Sequence, residues 1–502
     1  MNSKTDIDLV LIHPGHRTRI YQSLGNEITA IETPIWAGLV ANFVRHKGFS
    51  VAIIDGEAEN LSPEQVVQRV VDMKPLLAAV VVYGHQPSAS SQNMTVAGEM
   101  CTTLKELNPN LNILMFGGHV AALPERTMQE EDIDFAACGE GPYTVVDLLS
   151  ALKSSQPNFS KVRGLCYREN EVLRFNPAPP LVNDLNHEMP GIAWDLLPMD
   201  GYRDYNWHCF GNLKRKPYAA IYSTLGCPYH CTFCCIQSPF KEGEKASGLK
   251  ANVNSYRFWN PEFVIQEIDK LVNEYGISNL RFSDEMFVLN MRHVYGICDL
   301  IMQRGYKLNI YAYARIDTVK DDRTIDKLKA AGFNWLCFGI ESASEHVRDD
   351  VEKNFSQEEI YDVVKRVRTA GINVMANYIF GLPEDDMKSM QTTLDQAIDL
   401  NCEFANFYCA MAYPGSQLYQ IALKEKWQLP KEWTGYSQHS IDSLPLPTKY
   451  LSSAEVIRFR DNAWQKYFTS PKYLNMIEKK FGTETVKDIR HMTSYKLERQ
   501  HA

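Results

Sequence analysis

Residues 218–236 read YAAIYSTLGCPYHCTFCCI, and this stretch decides the interpretation of the whole chain. It opens with the apolar run 218–225, which is typical of a buried strand. Three cysteines follow at once, in the spacing Cys227-x3-Cys231-x2-Cys234. Thiolates are the usual ligands of iron–sulfur clusters, and three cysteines this close together can hold three corners of one cluster. The fourth iron would then be open to a substrate or cofactor.

A zinc site and a chance match are the alternatives for such a motif. No second CxxC pair follows at zinc-finger spacing, which disfavours a closed four-thiolate zinc site. Cysteines stay reduced in the cytoplasm, so clustered ones among the 12 of this chain indicate metal rather than disulfides. We interpret Cys235, which lies outside the spacing, as structural. Cys209, beside His208, stays open as an active-site candidate.

The cysteine motif follows the first strand of a repeated strand–helix series. Further strands are predicted at 279–284, 307–314, 335–341, 373–380 and 403–411, with helices at 261–275, 292–304, 322–332, 356–370 and 387–400. Six consecutive βα units predict a partial parallel (β/α)6 barrel over 217–420. Chemistry in such a barrel lies at the C-terminal ends of the strands. The residues predicted at that face are the cysteine motif, 283–285, Arg315, Glu341 and 381–384.

An earlier alternating series precedes the barrel. Its apolar runs lie at 7–13, 50–55, 77–83, 111–116 and 133–137, with helical stretches between them at 34–47, 62–73 and 90–107. The pattern predicts a doubly wound (Rossmann-like) α/β domain over 1–150, with ligands bound outside the carboxyl ends of its strands. Residues 151–216 lack this alternation of strands and helices and are interpreted as a linker. Residues 421–502 are predicted to be a helical region that packs on the barrel and helps to close the site.

The chain's 502 residues suggest several domains, and a composition of 45% hydrophobic and 23% charged residues is ordinary for a globular protein. The net charge of −9 gives no reason to expect nucleic acid as a partner. No apolar run approaches the ~18 residues of a transmembrane helix. No signal peptide is evident at the N-terminus, so a cytoplasmic location is expected.

The motif CxxxCxxC at the end of a first barrel strand resembles the radical S-adenosylmethionine (SAM) superfamily, over residues 217–420. Further segments that look like the family are RFSDEMF (281–287), YARID (313–317), FGIES (338–342) and YIFGLPEDD (378–386). The resemblance implies a [4Fe–4S] cluster whose open iron binds SAM, and an electron that cleaves SAM to a 5′-deoxyadenosyl radical. It also implies SAM-binding roles for Phe233, Asp284, Glu285, Arg315, Glu341, Gly381, Leu382 and Pro383, with a barrel-mouth salt bridge as the alternative for each acidic residue.

A doubly wound domain ahead of such a barrel resembles the cobalamin-binding radical SAM group. The matching segments are 33–58, FGGHVAALPE (116–125) and CGEGP (138–142). Glycines in these turns allow a large flat corrin to approach the backbone, although each turn alone would be a weak signal. The residues that we expect near cobalamin are His13, Ser88, Ser90, Gly117, Gly118, His119, Gly139, Glu140 and Gly141.

One departure concerns the cobalt ligand. Many cobalamin proteins supply a histidine from an Asp-x-His-x-x-Gly motif, which this chain lacks. His13, His16, His85 and His119 fall on the plausible face, but none has the required neighbours. We therefore expect a cobalamin with its own base displaced and no histidine on cobalt.

The resemblance implies a cobalamin-dependent radical SAM methyltransferase that methylates an unactivated carbon, or phosphorus, of a small metabolite. The alternative is an oxidative cyclase or rearrangement enzyme on the same scaffold, and a sensor without turnover is a third. Methylthiolation is disfavoured because the N-terminal domain lacks a second set of three cysteines. The implied partners are a small-molecule substrate and an external electron donor such as flavodoxin or ferredoxin. The sequence identifies neither the catalytic residues nor the substrate.

Overall fold

The computed structural model describes residues 7–15, 17–25, 28–84, 86, 89–319 and 321–502. Two largely parallel sheets organise the chain, a seven-stranded one followed by a six-stranded one. The strands are β1 (Ile7–His13), β2 (Val51–Asp55), β3 (Pro75–Val81), β4 (Ile113–Phe116), β5 (Phe135–Ala137), β6 (Leu165–Glu169), β7 (Val172–Phe175), β8 (Tyr218–Ile221), β9 (Thr224–Leu225), β10 (Arg257–Phe258), β11 (Asn279–Phe282), β12 (Asn309–Ala314), β13 (Phe333–Glu341), β14 (Asn373–Phe380) and β15 (Phe404–Cys409).

Helices cover both sheets. They are α1 (Arg17–Tyr21), α2 (Ile35–His46), α3 (Pro63–Met73), α4 (Ala89–Gln92), α5 (Met94–Leu107), α6 (Gly118–Ala122), α7 (Pro124–Glu130), α8 (Pro142–Lys153), α9 (Leu185–Glu188), α10 (Lys241–Ala246), α11 (Pro261–Tyr275), α12 (Met291–Arg304), α13 (Asp322–Ala330), α14 (Glu345–Asp350), α15 (Gln357–Thr369), α16 (Met387–Leu400), α17 (Gln417–Lys424), α18 (Ser453–Phe468), α19 (Pro471–Phe481) and α20 (Thr483–Ser494). None of the described helices is both long and apolar enough to cross a membrane.

The first sheet has the strand order β2-β1-β3-β4-β5-β6-β7, and β1 to β5 are parallel. The predicted doubly wound domain is therefore confirmed. Strand order reverses between β1 and β3, and ligands of such sheets bind in the crevice at that point. The loops that follow these two strands begin at Pro14 and Val82, so both open into the same crevice.

Two of the seven strands come from the stretch that was interpreted as a linker. Strands β6 and β7 form a hairpin, and β6 pairs antiparallel with β5 at the edge of the sheet. The pattern was missed because β7 is mostly exposed and lacks an apolar face. The rest of this stretch does bridge the two halves of the molecule. For example, Asn42 of α2 donates to the carbonyls of Pro190 and Gly191, while the Trp194 indole donates to Glu267 of α11 at 2.9 Å.

The second sheet has the order β15-β14-β13-β12-β11-β8, and every neighbouring pair is parallel. This confirms the partial (β/α)6 barrel. A short antiparallel pair, β9 with β10, sits beside it and leads into the cysteine motif. The C-terminal helices close the open side, where the hydroxyl groups of Tyr467 and Tyr473 donate to backbone carbonyls of Cys402 and Glu403.

The C-terminal region also reaches the first domain. Trp433 and Tyr436 belong to the buried core on one face of the first sheet. This contact was not predicted, since the sequence placed the region on the barrel alone. One chain segment thus holds the two domains together beside the site.

Candidate active site

The cysteine loop leaves β9 and is fixed by its own hydrogen bonds. The amide of Cys227 donates to Gln237 at 2.9 Å, and Gln237 in turn donates to Glu244 at 2.6 Å. Cys227 is buried, Cys231 is half-buried and Cys234 is exposed. The loop therefore presents three thiols at the C-terminal ends of the barrel strands, as the motif predicted.

The sulfur set fits a cluster better than a single ion. The three sulfur atoms do not all lie within 4.8 Å of one another, as ligands of one zinc ion would. Burial raises the pKa of the Cys227 thiol to about 12, and the nearby Glu285 and Cys231 add to the rise. A cationic metal centre is what would stabilise thiolates in this environment. These cysteines can therefore hold a [4Fe–4S] cluster and leave one iron without a protein ligand.

The two carboxylates predicted near SAM have different environments. Asp284 is fully buried and accepts hydrogen bonds from the amide and hydroxyl groups of Ser223, at 3.1 and 2.8 Å. Its burial raises its pKa to about 6. Glu285 is half-buried, and one of its carboxylate oxygens is buried with no partner among the described residues. Burial raises the pKa of Glu285 to about 8. Glu285 is thus the carboxylate that remains available to a ligand.

Arg315 lies against the cluster motif. Its Nη1 is 3.7 Å from the sulfur of Cys231, and its guanidinium lies 3.8 Å above the Tyr229 ring. Asp317 accepts from the same guanidinium at 2.9 and 3.1 Å. Arg315 therefore places a positive charge beside the expected cluster while keeping a carboxylate partner.

Glu341 forms a salt bridge at the barrel mouth. Lys353 lies 2.7 Å from its carboxylate, and both side chains are almost fully buried. The Glu341 backbone has φ +64°, where a bulge interrupts the pairing of β13 with β14. A non-glycine residue in this conformation costs energy and is frequent at functional sites. Glu341 thus forms the barrel-mouth salt bridge that the sequence analysis gave as the alternative to SAM binding. The residue still lies at the mouth of the barrel.

The turn at 381–383 is closed by its own contacts. The amides of Gly381 and Leu382 donate to Asp385 at 3.0 and 3.1 Å. A Cβ on Gly381 would lie 2.5 Å from Val456 of α18, so close packing of that helix explains the glycine. Pro383 accepts from the amide of Lys449 at 3.1 Å. A contact of this turn with adenine stays a prediction, as does that of Phe233, which packs among apolar side chains next to Leu382.

The loops predicted to bind cobalamin converge at the carboxyl edge of the first sheet. Gly117 has φ +151°, and a Cβ there would lie 2.4 Å from the carbonyl of Val82. Ser90 donates to the same carbonyl and accepts from the amide of His119 at 2.9 Å. A Cβ on Gly118 would meet nothing closer than 3.6 Å, so the outer side of this turn is open. The cradle fits a large flat ligand that approaches backbone.

Both described histidines on this edge are held by protein groups. His13 Nδ1 lies 3.0 Å from Asp55; burial opposes the charge, but Asp55 outweighs it and raises the pKa of His13. His119 Nδ1 lies 2.9 Å from the Ser91 hydroxyl, and burial lowers the pKa of His119 to about 3. The edge of His119 packs against Trp433 at 4.3 Å between ring centroids. The expected absence of histidine from cobalt stays a prediction. Ser88, His16 and His85 lie outside the described residues.

Glu140 has a structural partner. Arg257 lies 2.7 Å from its carboxylate, and the other carboxylate oxygen accepts from the amide of Val182 at 2.9 Å. The two charged side chains are buried and connect the first domain to the barrel. Gly139 approaches the carbonyl of Pro239, while Gly141, with φ +106°, packs on Phe116. This turn therefore serves the domain contact, and its role toward cobalamin remains a prediction.

The two sets of loops meet. The Ser238 hydroxyl, four residues after Cys234, donates to the carbonyl of Gly118 at 2.9 Å. A cavity of about 530 Å³ lies between the first domain, the barrel and the C-terminal region. Its lining includes His13 and Gly84 from the first domain, together with Tyr222 and Tyr313 from the barrel. Trp36, Tyr83, Gly84 and Tyr222 also line a smaller cavity that reaches Glu285 and Gly118.

Comparisons with known proteins agree with this arrangement. The family model described as the radical SAM superfamily matches residues 221–397, and that of the B12 binding domain matches residues 21–149. The chain belongs to the cobalamin-dependent radical SAM enzymes. Its cofactors are accordingly a [4Fe–4S] cluster, SAM and cobalamin. The matched ranges lie inside the predicted domains 1–150 and 217–420, whose exact boundaries stay predictions.

Individual relatives are distant but cover most of the chain. An uncharacterized methyltransferase of Pyrococcus horikoshii is 28% identical over 88% of this chain and 89% of its own. An anaerobic magnesium-protoporphyrin IX monomethyl ester cyclase of Cereibacter sphaeroides is 23% identical over 92% of this chain and 70% of its own. The structure of the radical SAM methyltransferase TsrM from Kitasatospora setae, with cobalamin and a [4Fe–4S] cluster bound, shares the fold at 15% identity, with a TM-score of 0.65 over 96% of this chain and 99% of that one.

Several site residues of this radical SAM enzyme were not found from the sequence. Glu32 of the first domain pairs with Arg281 of β11 at 2.6 Å, and the Tyr218 hydroxyl donates to the same carboxylate. Trp36 stacks on Tyr83 with 4.3 Å between ring centroids. These contacts join segments far apart in the chain, and no local pattern in the sequence signals them.

Cys209 belongs to a separate buried group. Asp204, His208 and Cys209 bring one ligand atom each within 4.8 Å of the others. The carboxylate of Asp204 accepts from His208 at 2.5 Å, and the Cys209 thiol lies 3.8 Å from it. Asn309, at the first residue of β12, donates to the His208 carbonyl, so the group lies at the end of the barrel opposite the cysteine motif. Hydrogen bonds hold Asp204 and Cys209 in place, whereas the buried Nε2 of His208 has no partner among the described residues.

Proposed function

We propose that the chain is a methyltransferase that transfers a methyl group to a carbon, or phosphorus, of a small metabolite. The observation that carries this proposal is the hydrogen bond from Ser238 to Gly118, which ties the cysteine loop to the glycine turn of the B12-binding domain. The large cavity is lined by both domains, and the smaller cavity that shares part of its wall reaches Glu285 and Gly118. A substrate in the large cavity would therefore lie next to both cofactor sites. Proximity and orientation of this kind are what the protein contributes to cofactor chemistry.

The residues of the chain divide the work of holding the reactants. Cys227, Cys231 and Cys234 hold the cluster, and the available carboxylate of Glu285 accepts the amino group of SAM. Arg315 lies where it can compensate negative charge on the cluster or on the SAM carboxylate. When bound, the cluster supplies the electron that cleaves SAM, and cobalamin supplies methyl transfer at cobalt.

Closure of the site falls to the C-terminal region. Gln438 accepts from the amide of Cys409 at 2.8 Å and donates to its carbonyl at 2.9 Å, so this segment is clamped to the end of β15. Arg499 then binds Asp461 through two contacts of 2.9 Å. These contacts cover the cavity and would keep water away from reactive species.

Oxidative cyclisation or rearrangement without methyl transfer is the second candidate function. It is favoured by the similarity to the cyclase of Cereibacter sphaeroides, which extends over 92% of this chain. Both functions need an external one-electron donor, for which a flavodoxin or ferredoxin is the proposed partner. The exposed Cys234 marks the side of the loop nearest solvent.

Product counting separates these functions. The enzyme is reconstituted anaerobically with iron, sulfide and cobalamin, reduced chemically, and incubated with SAM together with a candidate substrate. A methyltransferase forms S-adenosylhomocysteine as well as 5′-deoxyadenosine, since SAM is both methyl donor and radical source. A cyclase forms only 5′-deoxyadenosine, and that outcome would contradict the proposal. Cys298→Ala, which changes a buried cysteine of α12 away from the motif, is the matched control and keeps the wild-type product ratio.

A further inference from the structure

The barrel half of the large cavity is built as a slot along β15. Phe404, Asn406 and Tyr408 all line it. Alternate residues of a strand point to the same face, so these three form one wall. At about 3.3 Å per residue, the wall is about 13 Å deep from Tyr408 at the barrel mouth to Phe404 at the other end. A bound molecule can therefore extend well below the mouth.

The deep end of this slot is apolar. Trp207 and Phe210 line it together with Phe404. The Trp207 ring stacks on Phe404 at 5.9 Å between centroids, and Phe210 meets Phe404 edge-on at 6.2 Å. Aromatic walls of this type bind apolar or aromatic groups by burying their surface.

Charged side chains in the interior of the cavity are paired with each other. Glu32 lies 2.6 Å from Arg281, and Arg17 lies 2.6 Å from Glu57. At the C-terminal side, Arg460 lies 2.7 Å from Asp461. The cavity also meets Asp488 and Lys496, but both are exposed at its rim. A charged group in the slot would have to give up its water while the nearby protein charges already have partners.

Two hydroxyl groups near the mouth offer hydrogen bonds instead. The hydroxyls of Tyr313 and Tyr408 have no hydrogen-bond partner among the described residues, although both side chains line the cavity. Burial raises the pKa of Tyr313 to about 12 and also raises that of Tyr408. Both phenols therefore stay protonated near neutral pH and can donate to an acceptor.

We propose that the substrate is an electrically neutral, mostly apolar molecule, with its apolar end against Phe404 and a hydrogen-bond acceptor at Tyr313 and Tyr408. Anionic metabolites such as nucleotides and phosphate or phosphonate esters are excluded from this slot, so of the two acceptors in the proposed function carbon is retained and phosphorus is not. The inference rests on the proposed function only in calling the bound molecule a substrate. The binding preference itself follows from the cavity.

The test uses two pairs of fluorescent probes on the anaerobic holoenzyme, with binding measured by equilibrium dialysis and no reductant present. The first pair is neutral phenylnaphthylamine and its charged analogue anilinonaphthalene sulfonate, which differ by one sulfonate. The neutral probe is expected to bind at least about tenfold more tightly. Equal or tighter binding of the sulfonate would overturn the proposal.

The second pair locates the acceptor. Prodan is neutral and carries a ketone, whereas phenylnaphthylamine has no comparable acceptor. In the double variant Tyr313→Phe and Tyr408→Phe, Prodan is expected to bind about tenfold or more weakly, with phenylnaphthylamine unchanged. An affinity for Prodan that is the same in this double variant as in the wild type would contradict the assignment of Tyr313 and Tyr408 as hydrogen-bond donors to the substrate. Tyr361→Phe is the matched control, because the Tyr361 hydroxyl binds Asp399 away from the cavity.

These measurements are independent of turnover. If product counting showed no S-adenosylhomocysteine while the probes behaved as expected, the methyl-transfer function would fail and the ligand class would stand. If methyl transfer occurred but the slot preferred the sulfonate, the ligand class alone would fail.

Discussion

The ion pair between Glu140 and Arg257 should hold the B12-binding domain on the barrel. The charged atoms are 2.7 Å apart, and their side chains are 4% and 8% exposed. Arg257 also donates to the carbonyl of Val182 at 2.6 Å. Removing one member of such a buried pair leaves the other charge without compensation, at a cost of about 3–5 kcal/mol. We therefore expect Arg257→Met to lower the free energy of unfolding by about that amount.

A double-mutant cycle gives the sharper measurement. Glu140→Gln is expected to cost about as much as Arg257→Met, and the double variant should recover about 1–3 kcal/mol of the summed losses. Urea unfolding of the cofactor-free protein, followed by circular dichroism, measures each free energy. Arg174→Met, which breaks an exposed pair with Glu169, should cost less than about 1 kcal/mol.

Glu140 was expected at the cobalamin site, and the same cycle tests that role. If Glu140→Gln weakened cobalamin binding while the stabilities in the cycle were additive and near those of wild type, the reasoning from the ion pair would be refuted. If the single variants lose stability and the double-mutant cycle shows the predicted coupling between Glu140 and Arg257, the main role of the GEGP turn is to hold the two domains together.

Three further predictions concern other parts of the site. Gly117→Ala places a Cβ 2.4 Å from the carbonyl of Val82 and should destabilise the first domain by about 2–3 kcal/mol. Gly48→Ala, at a positive φ with no atom within 4 Å, should cost about 1 kcal/mol or less. Thermal unfolding compares the two variants, and equal losses of stability would contradict the crowding argument. Because the pKa of Glu285 is raised to about 8, its carboxyl is protonated below that pH. The affinity for SAM should therefore rise as pH increases, by up to about tenfold per pH unit until the carboxyl ionises. Equilibrium dialysis measures this affinity, and Glu285→Gln should remove its dependence on pH. Arg499→Ala loses two contacts to Asp461 and two hydrogen bonds to the carbonyls of Gln438 and Ser440. A loss of about 2 kcal/mol corresponds to roughly thirtyfold faster proteolysis of the C-terminal segment, and the four contacts make this the minimum expected. Lys487→Ala, which breaks an exposed pair, should leave the rate unchanged.

The two-domain fold could be predicted because each domain has a strong local signal. Strands β3 and β12 are apolar runs bounded by turns, and helices with apolar faces separate the strands. Strands β6 and β7 were missed for the opposite reason. Their hairpin is short and half exposed, and its pairing with β5 depends on a contact made far along the chain.

The candidate site divides in the same way. The spacing of Cys227, Cys231 and Cys234 is local, and the three thiols lie at the barrel mouth where the strand rule placed them. The sequence could not show which of Asp284 and Glu285 is available to a ligand, because the answer depends on the hydrogen bonds that Ser223 donates to Asp284. The pair of Glu140 with Arg257 is equally non-local, so a residue taken for a ligand contact proved to have a partner in the other domain.

The most direct test of the account is the iron content and SAM response of the reconstituted enzyme. Wild type and Cys298→Ala are predicted to bind about four irons and to show an electron paramagnetic resonance signal that shifts when SAM is added to the reduced protein, because SAM would occupy the open iron. Cys231→Ala is predicted to lose the cluster, the shift and the cleavage of SAM. A Cys231→Ala protein that kept four irons and cleaved SAM at the wild-type rate would contradict the central claim.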